Sequence, residues 1–270
     1  MEIFEPVFID VTVPDQVLLR TDPLLPSASR PYLPACHPND TDAIWYCGHA
    51  PAMTFDSHGA ILIWQPENNL GGPARQADPN TGHARLGETG GVVYHREING
   101  GFVIDSAIVD AEKFCCALRV KSDQGQARTL LTVNPDQHGN YLFASEKDGV
   151  LEWRDDGGTV SVSVPSPGGE FWVVLGYDCG RLRISAAKSG DVFPPPRSST
   201  DQADDLALAL GGANDLFIGC RSHRKGILKT LGASTIRDVL IWLDHDGGGA
   251  VDQSKIIQAC RFVESGGDRA

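Results

Sequence analysis

Phe171-Trp172-Val173-Val174-Leu175-Gly176-Tyr177-Asp178-Cys179-Gly180-Arg181-Leu182-Arg183-Ile184 decides the fold class. Its first seven residues are dominated by aromatic and β-branched side chains, interrupted by Leu175 and Gly176, and its last four alternate polar with apolar. Asp178-Cys179-Gly180 between them carries the turn chemistry of a tight hairpin. The same grammar recurs on either side. Lys147-Asp148-Gly149 joins Tyr141–Glu146 to Val150–Arg154 in a second hairpin. Val160, Val162 and Val164 alternate with Thr159, Ser161 and Ser163, and Leu206, Leu208 and Leu210 alternate with alanines. Ile236–Leu243 has the length and branching of a core strand. Together these runs predict about nine strands after residue 90, enough for two packed sheets. One helix closes the chain: Asp252 is the expected N-cap, Ile256, Ile257, Cys260 and Val263 recur at helical spacing, and Gly266-Gly267 stops it. Strands followed by a single closing helix exclude the alternating order of a Rossmann-like sheet.

The 270 residues hold 17 prolines. Eleven of these prolines precede residue 85. Because proline removes a backbone donor, this bias predicts an extended or irregular N-terminal arm over 1–84 and an all-β sandwich over 85–270. Apolar pieces within the arm, such as Val7–Val13 and Ile44–Cys47, call for cover from the rest of the chain or from another subunit.

A formal net charge of -12 opposes the counterion-release binding of DNA or RNA, so no nucleic-acid partner is expected. No apolar run is long enough for membrane insertion, and Met1-Glu2-Ile3-Phe4-Glu5-Pro6 has no secretory pattern, so synthesis in the cytoplasm without a signal peptide is expected. The seven cysteines share no repeated spacing and are mostly flanked by apolar residues, which predicts buried thiols in place of a disulfide framework.

Four pieces, in order, carry a family resemblance: Phe114–Val120 followed by Thr129–Val133, the Phe171–Ile184 hairpin, Leu216-Phe217-Ile218-Gly219, and Ile236–Trp242 with the helix after it. Residues 90–265 resemble the laminin G-like, concanavalin A-like lectin and glucanase superfamily. The resemblance implies a jelly-roll sandwich with a C-terminal helix, and carbohydrate or protein-surface binding. Glucanases of that superfamily use a strand-borne Glu-x-Asp-x-x-Glu or a version one residue shorter. The nearest stretch here, Glu146-Lys147-Asp148-Gly149-Val150-Leu151-Glu152, is one residue too long and crosses a hairpin tip, so it reads as a solvated turn. With no Gly-x-Ser-x-Gly elbow either, no catalytic residue is assigned.

Cys36, His37, Cys47, His49 and His58 lack the paired spacing of a zinc site, so no metal is assigned to them. Asp244-His245-Asp246-Gly-Gly-Gly-Ala-Val-Asp252 resembles half a calcium loop, with Lys255 where a bidentate Glu belongs. Asp244 and Asp246 are left as a weak calcium candidate, and no other cofactor is implied. For ligand binding, Trp153 is the candidate stacking platform, and Arg221, His223, Arg224 and Lys225 form a basic loop suited to an acidic glycan or subunit.

A proline-rich arm ahead of a sandwich resembles the layout of phage-type spikes and fibres. That likeness implies a non-catalytic structural and attachment subunit, a head spike or tail-associated protein of a phage or gene-transfer-agent particle, found in the virion or virus-like particle. It would form a homo-oligomer, contact capsid or neighbouring subunits through the arm, and present the sandwich to a polysaccharide or partner. A carbohydrate-binding lectin module and a glucanase-type glycoside hydrolase are the alternatives.

Overall fold

The computed structural model describes residues 35–266 except 69, 79–83, 111, 124, 137–138 and 223–230. Its strands are β1 (Ile44–Cys47), β2 (Met53–Phe55), β3 (Ile61–Trp64), β4 (Ala74–Gln76), β5 (Arg85–Leu86), β6 (Val92–Tyr94), β7 (Phe102–Val109), β8 (Lys113–Ser122) and β9 (Arg128–Pro135). They continue with β10 (Leu142–Lys147), β11 (Val150–Asp155), β12 (Ser161–Pro165), β13 (Gly169–Asp178), β14 (Arg181–Lys188), β15 (Arg197–Ser198), β16 (Ala213–Ile218) and β17 (Ser234–Leu243). Helix α1 spans Asp204–Ala209 and α2 spans Ala250–Glu264. Among the described residues the strands form two antiparallel sheets. One runs β15-β14-β13-β8-β17-β6-β5, with β1 also paired to β17; the other runs β12-β11-β10-β9-β16-β7-β4-β3-β2.

Alternation along each strand sends one set of side chains between the sheets. Leu118, Val120, Phe171, Val173 and Leu175 of the first sheet share one core with Leu131, Val133, Leu142, Leu151 and Trp153 of the second. Two hairpin tips set the register. Asp148 (φ 51°) with Gly149 (φ 75°), and Cys179 (φ 45°) with Gly180 (φ 89°), both have two left-handed central residues, the turn that matches strand twist. Gly176 allows a close approach, since a Cβ there would stand 2.1 Å from the carbonyl oxygen of Asp246.

The outer face of the first sheet is sealed. Helix α2 lays Ile256, Ala259, Cys260 and Val263 over Trp45, Cys115, Trp172, Val174, Leu240 and Trp242. The three indoles there find acceptors: Trp45 Nε1 donates to Asp238 at 3.2 Å, Trp172 to Glu264 at 2.7 Å, and Trp242 to Thr41 at 3.3 Å. Burial pushes the Cys116 and Cys220 thiols up to about 12, and raises those of Cys115 and Cys260 as well. Cys179, at a hairpin tip, is exposed.

Three expectations need correction. The Leu206–Leu210 alternation is not a strand: Leu206 and Leu210 lie four apart on the buried side of the α1 turn, whereas Leu208 is 74% exposed. A period of two also satisfies i, i+4, and Asp204-Asp205 suit a helix first turn. Second, the N-cap of α2 is Gly249, and Asp252 sits inside the first turn, where it meets His245 Nδ1 at 2.9 Å. Third, the sheets do not divide at residue 84. Ile44–Cys47 pairs with Val239, Leu240 and their neighbours, and β2, β3 and β4 extend the second sheet through Arg75↔Val103. The described prolines of this region occupy connections, Pro38 and Pro51 in 3-10 turns and Pro66 and Pro73 between strands, so the strands keep their donors. The part of the arm over 1–34 lies outside the described residues.

Candidate functional site

With α2 over one sheet, the outer face of the nine-stranded sheet is the other broad surface. Register builds a cross-strand row on it: Ser161, Arg154, Phe143, Thr132, Phe217, Val103 and Arg75 are successive partners. A second row runs Ser163, Glu152, Ser145 and Thr129. The middle of the first row is closed, with Val103 and Phe217 packed against Ala77 and Cys220, and Thr132 donating to the Cys220 carbonyl at 3.2 Å. Its two ends are polar. At the β4–β7 end Arg75 makes two 2.6 Å hydrogen bonds to Asp105.

The other end gathers more chemistry. The Arg221 guanidinium lies 3.7 Å over the Phe143 ring, and that of Arg154 stands 5.8 Å from the same ring. Both rest on the electron-rich ring, and neither side chain is more than a third exposed. Arg221 Nε donates to Thr129 Oγ1 at 3.3 Å, and Arg154 Nε to the Asp155 carbonyl at 3.1 Å. Carboxylates face both: Asp156 is 3.9 Å from Arg221 Nη1, and Glu152 is 3.8 Å from Arg154 Nη1. The Tyr141 ring lies 5.9 Å from Phe143, and its hydroxyl is raised above its usual range by burial and by its bond to Asp156, with Arg221 opposing.

Of the residues singled out in the sequence, Arg221 is in this cluster. Trp153 is not: it is fully buried between the sheets, where its Nε1 donates to the Gly176 carbonyl at 3.1 Å, so no sugar ring reaches it. Its neighbours Glu152 and Arg154 point the opposite way, to the open face, because adjacent strand residues alternate. His223, Arg224 and Lys225 lie outside the described residues. Tyr141, Phe143, Arg154 and Asp156 were missed. The alternation of Phe143 and Ser145 with Leu142 and Ala144 was the available signal.

Glu146 is no solvated turn residue. It is fully buried, accepts from the hydroxyls of Ser122 and Ser166, and takes the Ala127 N–H at 3.0 Å. Glu146 pairs with Leu151 of the core while Glu152 pairs with Ser145 of the outer face, so the two glutamates address opposite sides of the sheet.

Within the Asp244–Asp252 stretch, His245 meets Asp252 and Asp246 is engaged by other parts of the chain. Asp246 meets the Arg183 guanidinium, and its other oxygen accepts the Gly248 N–H at 2.8 Å. Burial pushes this carboxyl up, but the Gly248 N–H and Arg183 outweigh it and hold it below the usual carboxylate range. Asp244 adopts φ 64° in the turn before α2. Among the described residues no three His, Cys, Asp or Glu side chains group to hold a metal ion. His37 instead accepts the Asn39 N–H and packs on Phe262.

No family model and no curated protein matches the chain. Solved structures do. An arabinofuranosidase complexed with arabinofuranosyl-α-1,2-xylobiose superposes with a TM-score of 0.51 at 8% identity, over 75% of this chain and 51% of that one. That likeness extends to the fold alone, a β-sandwich of two antiparallel sheets. Laminin G-like domains LG4-5 of the mouse laminin α1 chain match over 54% of this chain and 39% of that one, at 15% identity and a TM-score of 0.38. Domain 4 of AbnA, an extracellular arabinanase of Geobacillus stearothermophilus in complex with arabinotriose, matches over 80% of this chain and 97% of that one, at 13% identity and a TM-score of 0.47. The chain therefore spans about half the length of the arabinofuranosidase and two fifths of the laminin fragment. In this β-sandwich α2 closes the shorter sheet, and the mixed aromatic and charged cluster stands on the longer one.

Proposed function

We propose that the chain is a non-catalytic attachment module whose lectin-like sandwich holds a surface polysaccharide or a partner subunit on the outer face of the nine-stranded sheet. One observation carries this reading: one sheet face is sealed by a helix over three tryptophans, while the other holds partly exposed guanidiniums, carboxylates and a tyrosine around Phe143. Guanidiniums, carboxylates and hydroxyls fixed on a rigid sheet are the groups that recognise hydroxyl-rich ligands. The opposite orientation of Glu146 and Glu152 supports a binding role over glucanase catalysis, which needs both carboxylates on one face.

The proposal extends to setting. A homo-oligomeric spike or tail-associated subunit of a phage-like or gene-transfer-agent particle, attached through the proline-rich N-terminal region, accounts for an acidic chain that joins such a region to a lectin-like sandwich. Co-sedimentation of the native protein with a large particle tests the setting, and titration of the full chain with glycans, against Arg221→Ala, tests the face. Glycan binding without a particle leaves a free lectin. Glycan turnover by the purified full chain would overturn the non-catalytic reading.

A further inference from the structure

The nine-stranded sheet ends on β12, and this edge is built unlike the other edges of the two sheets. β15 and β5 are two residues long and each carries an arginine, Arg197 or Arg85. β2 is three residues long, with a register shift between Thr54 and Phe55. β1 is covered by the chain that follows β3, where the Glu67 N–H donates to the Trp45 carbonyl at 2.7 Å. Short, charged, kinked or covered edges resist pairing with another chain. β12 has none of these protections. It runs Ser161–Pro165 in unbroken register with β11, inside residues 157–169, thirteen positions without a charged side chain in a chain that is 21% charged. Among the described residues no second strand pairs with it.

Backbone bonds at both ends of the β11–β12 ladder set its phase. The Asp155 N–H donates to the Val160 carbonyl at 3.2 Å, and the Ser166 N–H to the Gly149 carbonyl at 2.8 Å. Bonded pairs alternate along an antiparallel ladder, so Val162 and Val164 also spend their backbone groups on β11, while Ser161 and Ser163 turn theirs outward. Pro165 falls on the outward phase, where its missing N–H costs the ladder nothing. A second β12, antiparallel about a two-fold axis through Val162, sets Ser161 opposite the partner's Ser163 and Ser163 opposite the partner's Ser161. Each of these residues offers one donor and one acceptor. Charge selects the same register. Arg154 lies beside Ser161 in one cross-strand row and Glu152 beside Ser163 in the next. The two-fold joins the rows, so Arg154 faces the partner's Glu152 across two small serines, at three strand spacings or about 14 Å between backbones. A two-fold through Ser161 would oppose Arg154 to its own copy, and one through Ser163 would do the same to Glu152.

We propose that two copies of the chain pair β12 to β12, antiparallel about Val162, into one continuous sheet that carries both Phe143 clusters on the same side. The proposal rests on the homo-oligomeric reading above and is independent of what the clusters bind. Copies that each carry a net charge of -12 repel, and an uncharged edge flanked by complementary Arg154 and Glu152 is where they can approach. The contact is isologous, so it uses up both β12 edges and closes at the dimer.

Analytical ultracentrifugation of the full chain over a concentration series tests the proposal. The expected result is a reversible monomer–dimer equilibrium that Ser163→Pro or Ser161→Pro weakens by about a hundredfold, since each removes an outward donor and leaves the bonds to β11, and hence the urea midpoint, nearly unchanged. Glu152→Arg and Arg154→Glu should each weaken the dimer about fivefold, although they move the net charge in opposite directions, and the two together should restore it. This charge swap leaves the β12 backbone untouched, so it reads the interface even where a proline variant loses stability. A chain that stays monomeric at every concentration overturns the interface and the homo-oligomeric reading together. A dimer that ignores both proline variants overturns the interface alone. Proline sensitivity without rescue by the charge swap overturns the register about Val162.

Discussion

Truncating Glu146 to alanine should cost the sandwich about 3 kcal/mol, although the residue sits one position from a surface hairpin tip. The carboxylate is fully buried and satisfies three donors, the Ser122 and Ser166 hydroxyls and the Ala127 amide. Ser122 and Ala127 lie at the β8–β9 connection and Ser166 in the β12–β13 connection, so Glu146, near the end of β10, ties β8–β9 and β12–β13 to the β10–β11 hairpin. Each buried donor left without a partner costs roughly 1–3 kcal/mol. The Ala127 N–H and the Ser122 hydroxyl are the two most enclosed, which sets a range of about 2–6 kcal/mol before the relief of no longer burying a charge. Water entering the vacated space recovers part of the Ser166 term. Urea unfolding at neutral pH reads the result as a lower midpoint with an unchanged slope. Glu146→Gln keeps one acceptor oxygen and should lose about half as much, with glycan binding intact. A loss under about 1 kcal/mol for the alanine variant would refute the reasoning, since it would mean that solvent already reaches the carboxylate.

Three further outcomes follow from the packing. Gly176→Ala should destabilise by about 2 kcal/mol or more in thermal melts, because its Cβ would meet the Asp246 carbonyl at 2.1 Å, where Gly176 is held by sheet pairing and Asp246 by Arg183 and the Gly248 N–H. Asp155 is pushed up by burial but held lower overall by the Val160 N–H and Asn140, so its carboxyl lies below the usual range. A depressed folded value adds stability above the unfolded carboxylate value of about 3.9, and that contribution is lost as pH falls through the folded one; Asp155→Asn should therefore flatten the acid limb of a stability–pH curve below about pH 4. A thiol reagent applied to the native protein should label Cys179 first and leave Cys115, Cys116, Cys220 and Cys260 unmodified until denaturant is added, as mass spectrometry of the peptides would show.

Hairpins and the closing helix were legible in the chain because their causes are local. Asp148-Gly149 and Cys179-Gly180 supply the left-handed turn residues in place, and Ile256, Cys260 and Val263 repeat every turn of α2. Alternation along β13 and β14 likewise declares that one side of each strand is apolar. It does not declare which partner covers the other side. Trp172 and Trp242 lie under α2 while Trp153 lies between the sheets, and nothing in their immediate neighbours separates the two fates. The short strands of residues 44–76 were hidden for a related reason: three or four residues make no periodic signal, and their donors are satisfied by residues as distant as Ile241, the partner of Ile44. Glu146 read as a turn residue because its partners come from the loops before β9 and after β12. The Arg221–Phe143 stack unites residues from β10 and from the loop after β16, which only sheet pairing brings side by side. By itself, then, the sequence determined the strands, their turns, the helix and the acidic balance, all set by φ preferences, side-chain period and composition. Tertiary structure alone decided which sheet face stays open and which charges share it, because facing and neighbourhood are properties of pairing between segments far apart in the chain.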